Sequence, residues 1–161
     1  MLTDLEKAYI AGFLDGDGCV MFQLIPRKDY VFGYQVRASI VFYQKTRHRK
    51  HLEWLQKKFR VGAIRNRNDG MSEYAIVGIP PVRDALRLLR PYLRLKQLHA
   101  RLAFKIMKVM PKRYTPDRLL TLGKLVDRFK ELNYSKRRVN TTKTLERFFD
   151  RSRPFTFPRN D

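Results

Sequence analysis

The sequence predicts an α+β chain in which one antiparallel sheet is covered by helices on one face. Three observations carry this. Apolar residues recur at helical spacing first, then in two separate pairs of alternating runs, and then at helical spacing to the end. Asp69-Gly70 lies between the second pair of runs, where a tight hairpin turn needs it. Prolines at 91, 111 and 116 cut the C-terminal part into ordinary helix lengths.

Taken in order, Thr3-Asp4-Leu5-Glu6 reads as a capping box that opens the first helix, with Thr3 bonding forward and Glu6 reaching back. Gly16 and Gly18 are expected to stop that helix. At about 100° per residue, Ala8, Ala11, Gly12 and Asp15 share one face, and Tyr9, Ile10, Phe13 and Leu14 the other. A helix bulky on one side and bare on the other is expected to be buried on both, its bare side admitting another backbone. Residues 19–25 follow as a strand, a loop runs through Pro26-Arg27-Lys28-Asp29, and 34–43 form a second strand. In that strand Val36, Ala38, Ile40 and Phe42 share an apolar face, and Gln35, Arg37 and Ser39 a polar one. A helix then carries Leu52, Trp54, Leu55 and Phe59, ending near Val61-Gly62.

The second hairpin joins 63–67 to 72–77, with Arg65 and Arg67 set against Glu73 and Ala75 on one face and Ile64, Tyr74 and Ile76 inward. Pro80-Pro81 opens a short helix to Leu89, and a longer one spans 96–110 before Pro111. Thr115-Pro116 caps a helix expected to run to Asn133. A basic turn at 135–138 precedes an amphipathic segment from Thr142, which fades into a Pro-Phe tail. One domain over 1–153 with a tail over 154–161 is expected, with no internal repeat. Gly123-Lys124-Leu125-Val126-Asp127 is the nearest echo of the first helix's end, and it lacks the terminal glycines.

The 161 residues carry a formal net charge of +20, with 43% hydrophobic residues and 12% aromatic. That core content excludes a disordered chain, and the charge surplus points to a polyanion, where each neutralised phosphate releases counterions. No apolar run reaches the ~18 residues that span a bilayer, so no membrane partner is expected. Cys19 is the single cysteine, and with three histidines no zinc spacing exists. The compartment is expected to be reducing. The capped helix begins so close to Met1 that no targeting peptide is expected.

The chemistry concentrates in Ile10-Ala11-Gly12-Phe13-Leu14-Asp15-Gly16-Asp17-Gly18. Carboxylates at a helix C-terminus face the negative end of the macrodipole, costing roughly 0.3–1 kcal/mol each, so a cation is expected nearby. A divalent metal suits that place, although a plain polar turn is the competing reading. An EF-hand is disfavoured, because neither the third oxygen ligand nor the distal glutamate follows.

With this stretch, both hairpins, Gln44-Lys45-Thr46, Val61-Gly62 and Pro91-Tyr92-Leu93-Arg94-Leu95-Lys96-Gln97 in place, the chain resembles the LAGLIDADG homing endonucleases, in their single-motif, homodimeric branch encoded in group I introns. The resemblance spans roughly Leu5 to Asp150. It implies the αββαββα homing-endonuclease fold, with an antiparallel saddle-shaped sheet and C-terminal helices. It also implies that two signature helices pack together and that Asp17 of each binds Mg²⁺ (or another divalent ion such as Mn²⁺), with the Gly16 carbonyl assisting. Gln44 matches a residue that orients water, and Lys96 one that stabilises the charged transition state. The basic member of the pocket falls on His48, with Arg49 beside it, where arginine is the usual occupant. Asp15 is expected to support the helix junction rather than to bind metal.

The sheet's polar face is the expected reader of double-stranded DNA, since a two-stranded ribbon fits the major groove, where arginine matches guanine and glutamine adenine. Gln23, Arg27, Tyr30, Gln35, Arg37, Arg65, Arg67 and Glu73 are its candidates, and Lys136, Arg137 and Lys143 are candidates for phosphates. The implied activity is cleavage of both strands of a long pseudo-palindromic site. Two rivals stand beside it. One is a non-catalytic nucleic-acid-binding protein on the same fold, an intron maturase with intron RNA as partner or a DNA-binding regulator. The other is a ribosome-associated basic protein. An organelle, chloroplast or mitochondrion, is the expected setting, with a prokaryotic cytoplasm as the alternative.

Overall fold

The structure is a computed structural model that describes residues 2–133 and 139–151. Its element order is α1 (Asp4–Asp17), β1 (Gly18–Pro26), β2 (Tyr34–Lys45), α2 (Arg49–Phe59), β3 (Ala63–Asn66), β4 (Met71–Val77), α3 (Ile79–Leu89), α4 (Gln97–Lys108), α5 (Pro116–Asp127), α6 (Phe129–Leu132) and α7 (Thr142–Arg151). A single 3-10 turn precedes α2 and another follows α3. The four strands form one sheet in the order β1-β2-β4-β3. The basic turn expected at 135–138 and the tail over 154–161 lie outside the described residues, as do Lys136 and Arg137.

The local grammar works largely as read. Thr3 Oγ1 accepts from the Glu6 amide at 3.2 Å while the Glu6 carboxylate accepts from the Thr3 amide at 3.0 Å, closing the capping box. In the second hairpin Arg65 pairs with Glu73 and Ile64 with Tyr74, the register the alternation predicts. Thr115 caps α5, its hydroxyl accepting from the Arg118 amide at 3.3 Å.

Four details differ from expectation. Gly16 does not stop α1, which runs on to Asp17, and Gly18 ends it in an extended rather than left-handed conformation. The chain passes straight into β1, so it has no need of the left-handed reversal. The bare face of α1 is split as well. Ala11 and Asp15 are buried against the protein's own α3 and the turn after it, whereas Ala8, Gly12 and Gly16 stay open. Tyr9, grouped with the buried bulky residues, is 57% exposed. The helix from Thr115 also breaks at Arg128, where i→i+3 bonds replace the regular ladder (Arg128 N–H to Leu125 at 3.2 Å, Glu131 N–H to Arg128 at 3.1 Å). The break leaves the Asp127 carboxylate at the end of α5, where it accepts the Thr142 amide at 3.0 Å.

Two compact units share the chain. The first comprises Met1–Phe22 and Arg37–Lys108. Its core joins Ile10 and Leu14 of α1, Ile40 and Phe42 of β2, Tyr74 and Ile76 of β4, Leu52 and Leu55 of α2, and Val82, Leu86 and Leu89 of α3, all fully buried. Phe42 stacks on Phe13 and on Tyr74, with ring centroids 5.5 and 6.0 Å apart. The buried Tyr74 hydroxyl donates to the Val61 carbonyl at 2.6 Å, so the polar end of this large apolar ring is satisfied. Gly62, at φ +83°, permits the turn between α2 and β3, since a Cβ there would meet the Ala75 carbonyl at 2.5 Å.

The second unit comprises Gln23–Val36 and Val109–Asp161. Its core gathers Leu24, Val36, Leu119, Leu122, Val126, Phe129 and Leu145. Gly123, the echo noted in the sequence, serves packing. A Cβ on it would lie 2.9 Å from Thr142 Oγ1 and 3.1 Å from Leu145 Cδ1, so glycine is what lets α7 lie close against α5. The Gly123→Ala variant is therefore expected to lose about 1–3 kcal/mol of stability in urea denaturation, despite alanine's better helix propensity.

Candidate active site

The end of α1 holds two carboxylates in different situations. Asp15 is buried, and its oxygens accept three successive backbone amides, Arg94 at 2.6 Å, Leu95 at 3.2 Å and Lys96 at 2.9 Å. These amides lead into α4, whose first helical bond runs from the Ala100 amide to the Lys96 carbonyl. A carboxylate is favoured there by the positive end of that helix. Asp15 thus takes the supporting part expected of it. Asp17 is exposed and accepts no hydrogen bond from the described residues.

Lys96 is 92% buried, and its Nζ donates to the Asp15 carbonyl at 2.6 Å. Since α1 carries no basic residue in its own last turn, Lys96 places a cation there from a distant part of the sequence. Burial pushes its ammonium below the usual lysine range, while Asp15, Cys19 and Asp17 pull the other way.

Gln44 stands at the far end of β2, opposite Ser72 of β4. By alternation it shares the face of Phe42 and Ile40, the side on which the core lies, and not that of Arg37 and Tyr43. Its side-chain carbonyl accepts the Lys45 amide at 3.0 Å. Tyr43 beside it senses Cys19 of β1 electrostatically. Burial raises its phenol above the ordinary range, Cys19 and Glu73 add to the rise, and Arg67 and Arg65 oppose it.

The two candidates for the pocket's basic member separate. The Arg49 side chain is held by Glu53, Nε to Oε1 at 3.0 Å, and by the Asn66 side-chain oxygen. His48 is exposed at the end of the 3-10 turn, and its Nε2 accepts from Arg47 Nε at 3.1 Å. Asn66 belongs to a small polar cluster that the sequence did not disclose. Ser72 Oγ, fully buried, donates to Asn66 Oδ1 at 2.9 Å and lies 3.0 Å from Thr46 Oγ1. The signal that could have found it was the odd polar residue at an inward position of β4.

The candidates for contacting DNA are distributed over both units. Arg37, Arg65, Arg67 and Glu73 belong to the first, and Gln23, Arg27, Tyr30, Gln35 and Lys143 to the second. Arg65 pairs with Glu73 at 2.7 Å, Arg67 with Asp69 at 2.9 Å, and Arg27 with Asp29 at 2.7 Å. Arg27 also lies over the Tyr30 ring, and Arg67 over Tyr43. Arg37 and Lys143 are exposed, while Gln23 and Gln35 are half-buried.

Among the described residues no group of three or more His, Cys, Asp or Glu side chains could hold a metal ion. Gly16 and Asp17 are exposed at the end of α1, and a backbone carbonyl and a carboxylate are hard oxygens of the kind Mg²⁺ prefers. They fit such an ion, provided a further carboxylate arrives from outside the chain. No described helix is long and apolar enough to cross a membrane.

A family model described as LAGLIDADG endonuclease matches residues 10–109. The chain is similar to DNA endonuclease I-CvuI of Chlorella vulgaris, at 40% identity over 135 residues covering 84% of each. It is also similar to DNA endonuclease I-CreI of Chlamydomonas reinhardtii, at 36% identity over 143 residues covering 88% of this chain and 87% of that one. Its fold is similar to the crystal structure of I-CvuI in complex with its target in the presence of Ca, at a TM-score of 0.86, 36% identity, and coverage of 92% and 94%. A second I-CvuI structure, in complex with the I-CreI target in the presence of Mg with DNA not cleaved, matches equally well at 0.86, 36% identity, and coverage of 91% and 94%.

The two carboxylates are expected to respond differently to mutation. Asp15→Ala should lose about 1.5–3 kcal/mol of folding stability, because one buried and two part-buried amides lose their acceptor. Asp17→Asn should change thermal unfolding little, since its carboxylate accepts no hydrogen bond from the described residues. Both are read from denaturation curves.

Proposed function

The chain belongs to the LAGLIDADG endonuclease family, and from that premise we propose that two copies form a homodimeric homing endonuclease that cuts both strands of a long pseudo-palindromic DNA site with Mg²⁺ or Mn²⁺. The observation that carries the reading is the pairing of an exposed Asp17, which accepts no hydrogen bond from the described residues, with an open small-residue face on the same helix. At Gly12 and Gly16 a Cβ would meet nothing within 4 Å. Around that stripe lie the exposed Leu5 and Tyr9, which with Glu6, His51 and Trp54 line a groove of about 480 Å³. Small residues flanked by exposed apolar ones favour a second copy of α1 across a twofold axis. That axis sets a second Asp17 beside the first and completes the oxygen donor set.

When bound, the divalent ion supplies Lewis-acid chemistry at the phosphodiester. The chain's own groups do the rest. Lys96 keeps a positive charge beside the two carboxylates, where negative charge builds up on the phosphate. Gln44 at the end of β2 orients the attacking water, and His48, the exposed one of the two basic candidates, stands toward the phosphates while Arg49 braces the turn. Arg37, Arg65, Arg67 and Glu73, with Gln23, Arg27, Tyr30 and Gln35 of the hairpin, read base edges. Lys143, Lys136 and Arg137 contact the backbone, which sets register without carrying sequence information. The algal relatives are in keeping with an organelle-encoded intron as the gene's setting.

Two measurements test this reading. With Mg²⁺ and a duplex carrying the uninterrupted host-gene sequence, the wild-type protein should cut both strands. Asp17→Asn should lower cutting at least about a thousandfold while duplex binding survives in a mobility-shift assay. Full cutting by that variant would remove Asp17 from the mechanism. Gly12→Leu should leave the chain folded by circular dichroism but make it monomeric in analytical ultracentrifugation, and cutting should be lost with the dimer.

A further inference from the structure

We propose that Ser72, with Thr46 and Asn66, is a set of positioning residues for the cutting step, fixing the end of β2 and the turn after it so that Gln44 and His48 stand correctly at the phosphodiester. This role presupposes the cutting activity proposed above, and it falls to side chains that touch neither metal nor DNA in that proposal. Ser72 of β4 lies in register with Gln44 of β2 on one side and Asn66 of β3 on the other. The adjoining row of the sheet is Tyr43, Glu73 and Arg65, whose side chains alternate to the opposite face. One row therefore faces the expected duplex, and the row beside it holds the anchor.

The direction of each bond in the anchor is determined. Asn66 Oδ1 can only accept, so the single hydroxyl proton of Ser72 goes to it, at 2.9 Å. Ser72 Oγ then accepts from the Thr46 hydroxyl, 3.0 Å away. The Arg49 guanidinium donates to the same Asn66 oxygen, and Glu53 holds its Nε at 3.0 Å. The Thr46 amide in turn donates to the Gly70 carbonyl at 2.9 Å. Thr46 and Arg49 bracket His48, so the turn is tied to the β3–β4 hairpin at both ends.

The turn needs such ties. It is a single 3-10 turn over Thr46–His48, weakly held by its own bonds, and Lys45 before it supplies no side-chain cap. Stability alone does not call for a serine at position 72. Ser72 is fully buried in the inward row of Tyr74 and Ile76, where desolvating a hydroxyl costs about what its two bonds return. What the hydroxyl adds over a methyl group is a fixed spacing between three segments of chain. A reacting group displaced by about 1 Å loses up to about a hundredfold in rate, so spacing of that kind acts on cutting far more than on folding.

The test follows single-turnover cutting of the host-gene duplex in Mg²⁺ at saturating full-length protein, with duplex affinity in Ca²⁺ and thermal unfolding measured alongside. Ser72→Ala should cut about tenfold or more slowly while its duplex affinity stays within about threefold of wild type. Thr46→Val, which keeps the shape of the side chain and removes its donor, should do the same. Asn66→Leu should also slow cutting, and Asn66→Asp should restore it, since a carboxylate accepts from both Ser72 and Arg49. Should Ser72→Ala fail to fold, Thr46→Val and the two Asn66 variants decide the matter. Full-rate cutting by Ser72→Ala or Thr46→Val, a loss of affinity as large as the loss of rate, or no rescue by Asn66→Asp would overturn the positioning role. A wild-type protein that left the duplex whole would defeat the cutting activity itself, whereas wild-type cutting matched by the variants defeats only this role.

Discussion

The carboxylate of Asp15 joins the last turn of α1 to the three amides that lead into α4, and the arrangement of the candidate site depends on that junction. Two helix ends of opposite polarity meet there, and one side chain satisfies the amides of one while a lysine neutralises the carbonyls of the other. The buried lysine is tolerable only because a charge-compensating carbonyl end awaits it. The junction fixes Lys96 against the tip of α1. Asp17, two residues on, is thereby held at the end of a braced helix and left exposed to solvent.

This division of labour between two acids in one short motif explains why the stretch is dense in glycine and alanine as well as acid. Ala11 and Asp15 point to the chain's own packing, and Gly12 and Gly16 point away from it. One helix therefore presents two faces of different character. The inward one is complete within the chain. The outward one is bare, and bare backbone at close approach is what a symmetric helix pair needs.

Much of the fold was legible because it is written in local rules. The Thr3–Glu6 box, the Thr115 cap and the pairing of Arg65 with Glu73 each follow from spacing within one element or one hairpin. What escaped reading depends on contacts far apart in sequence. No spacing announces that Asp15 meets residues 94–96, nor that Tyr9 turns outward while Ala11 turns in, because both depend on where α3 and its following turn come to lie. The break at Arg128 is similar. Nothing in the local sequence forbids a continuous helix, and the Asp127 carboxylate at the break accepts an amide fifteen residues on, at the start of α7. Of the site, the motif acids, Gln44 and Lys96 were visible as a family pattern. The Asn66, Ser72 and Thr46 cluster was not, since it joins three separate segments. The tethering of Arg49 was also out of reach, because its partners Glu53 and Asn66 lie on α2 and at the end of β3.

The ion pair between Arg65 and Glu73 has a thermodynamic corollary for any ligand of the polar face. An arginine that already holds a carboxylate gains from a guanine only the difference between the two partners. The glutamate it leaves behind, 86% buried at its side chain, must find a donor of its own. A cytosine amino group would meet that need. The two side chains therefore form a coupled unit, and under the proposed function altering either alone strands its companion.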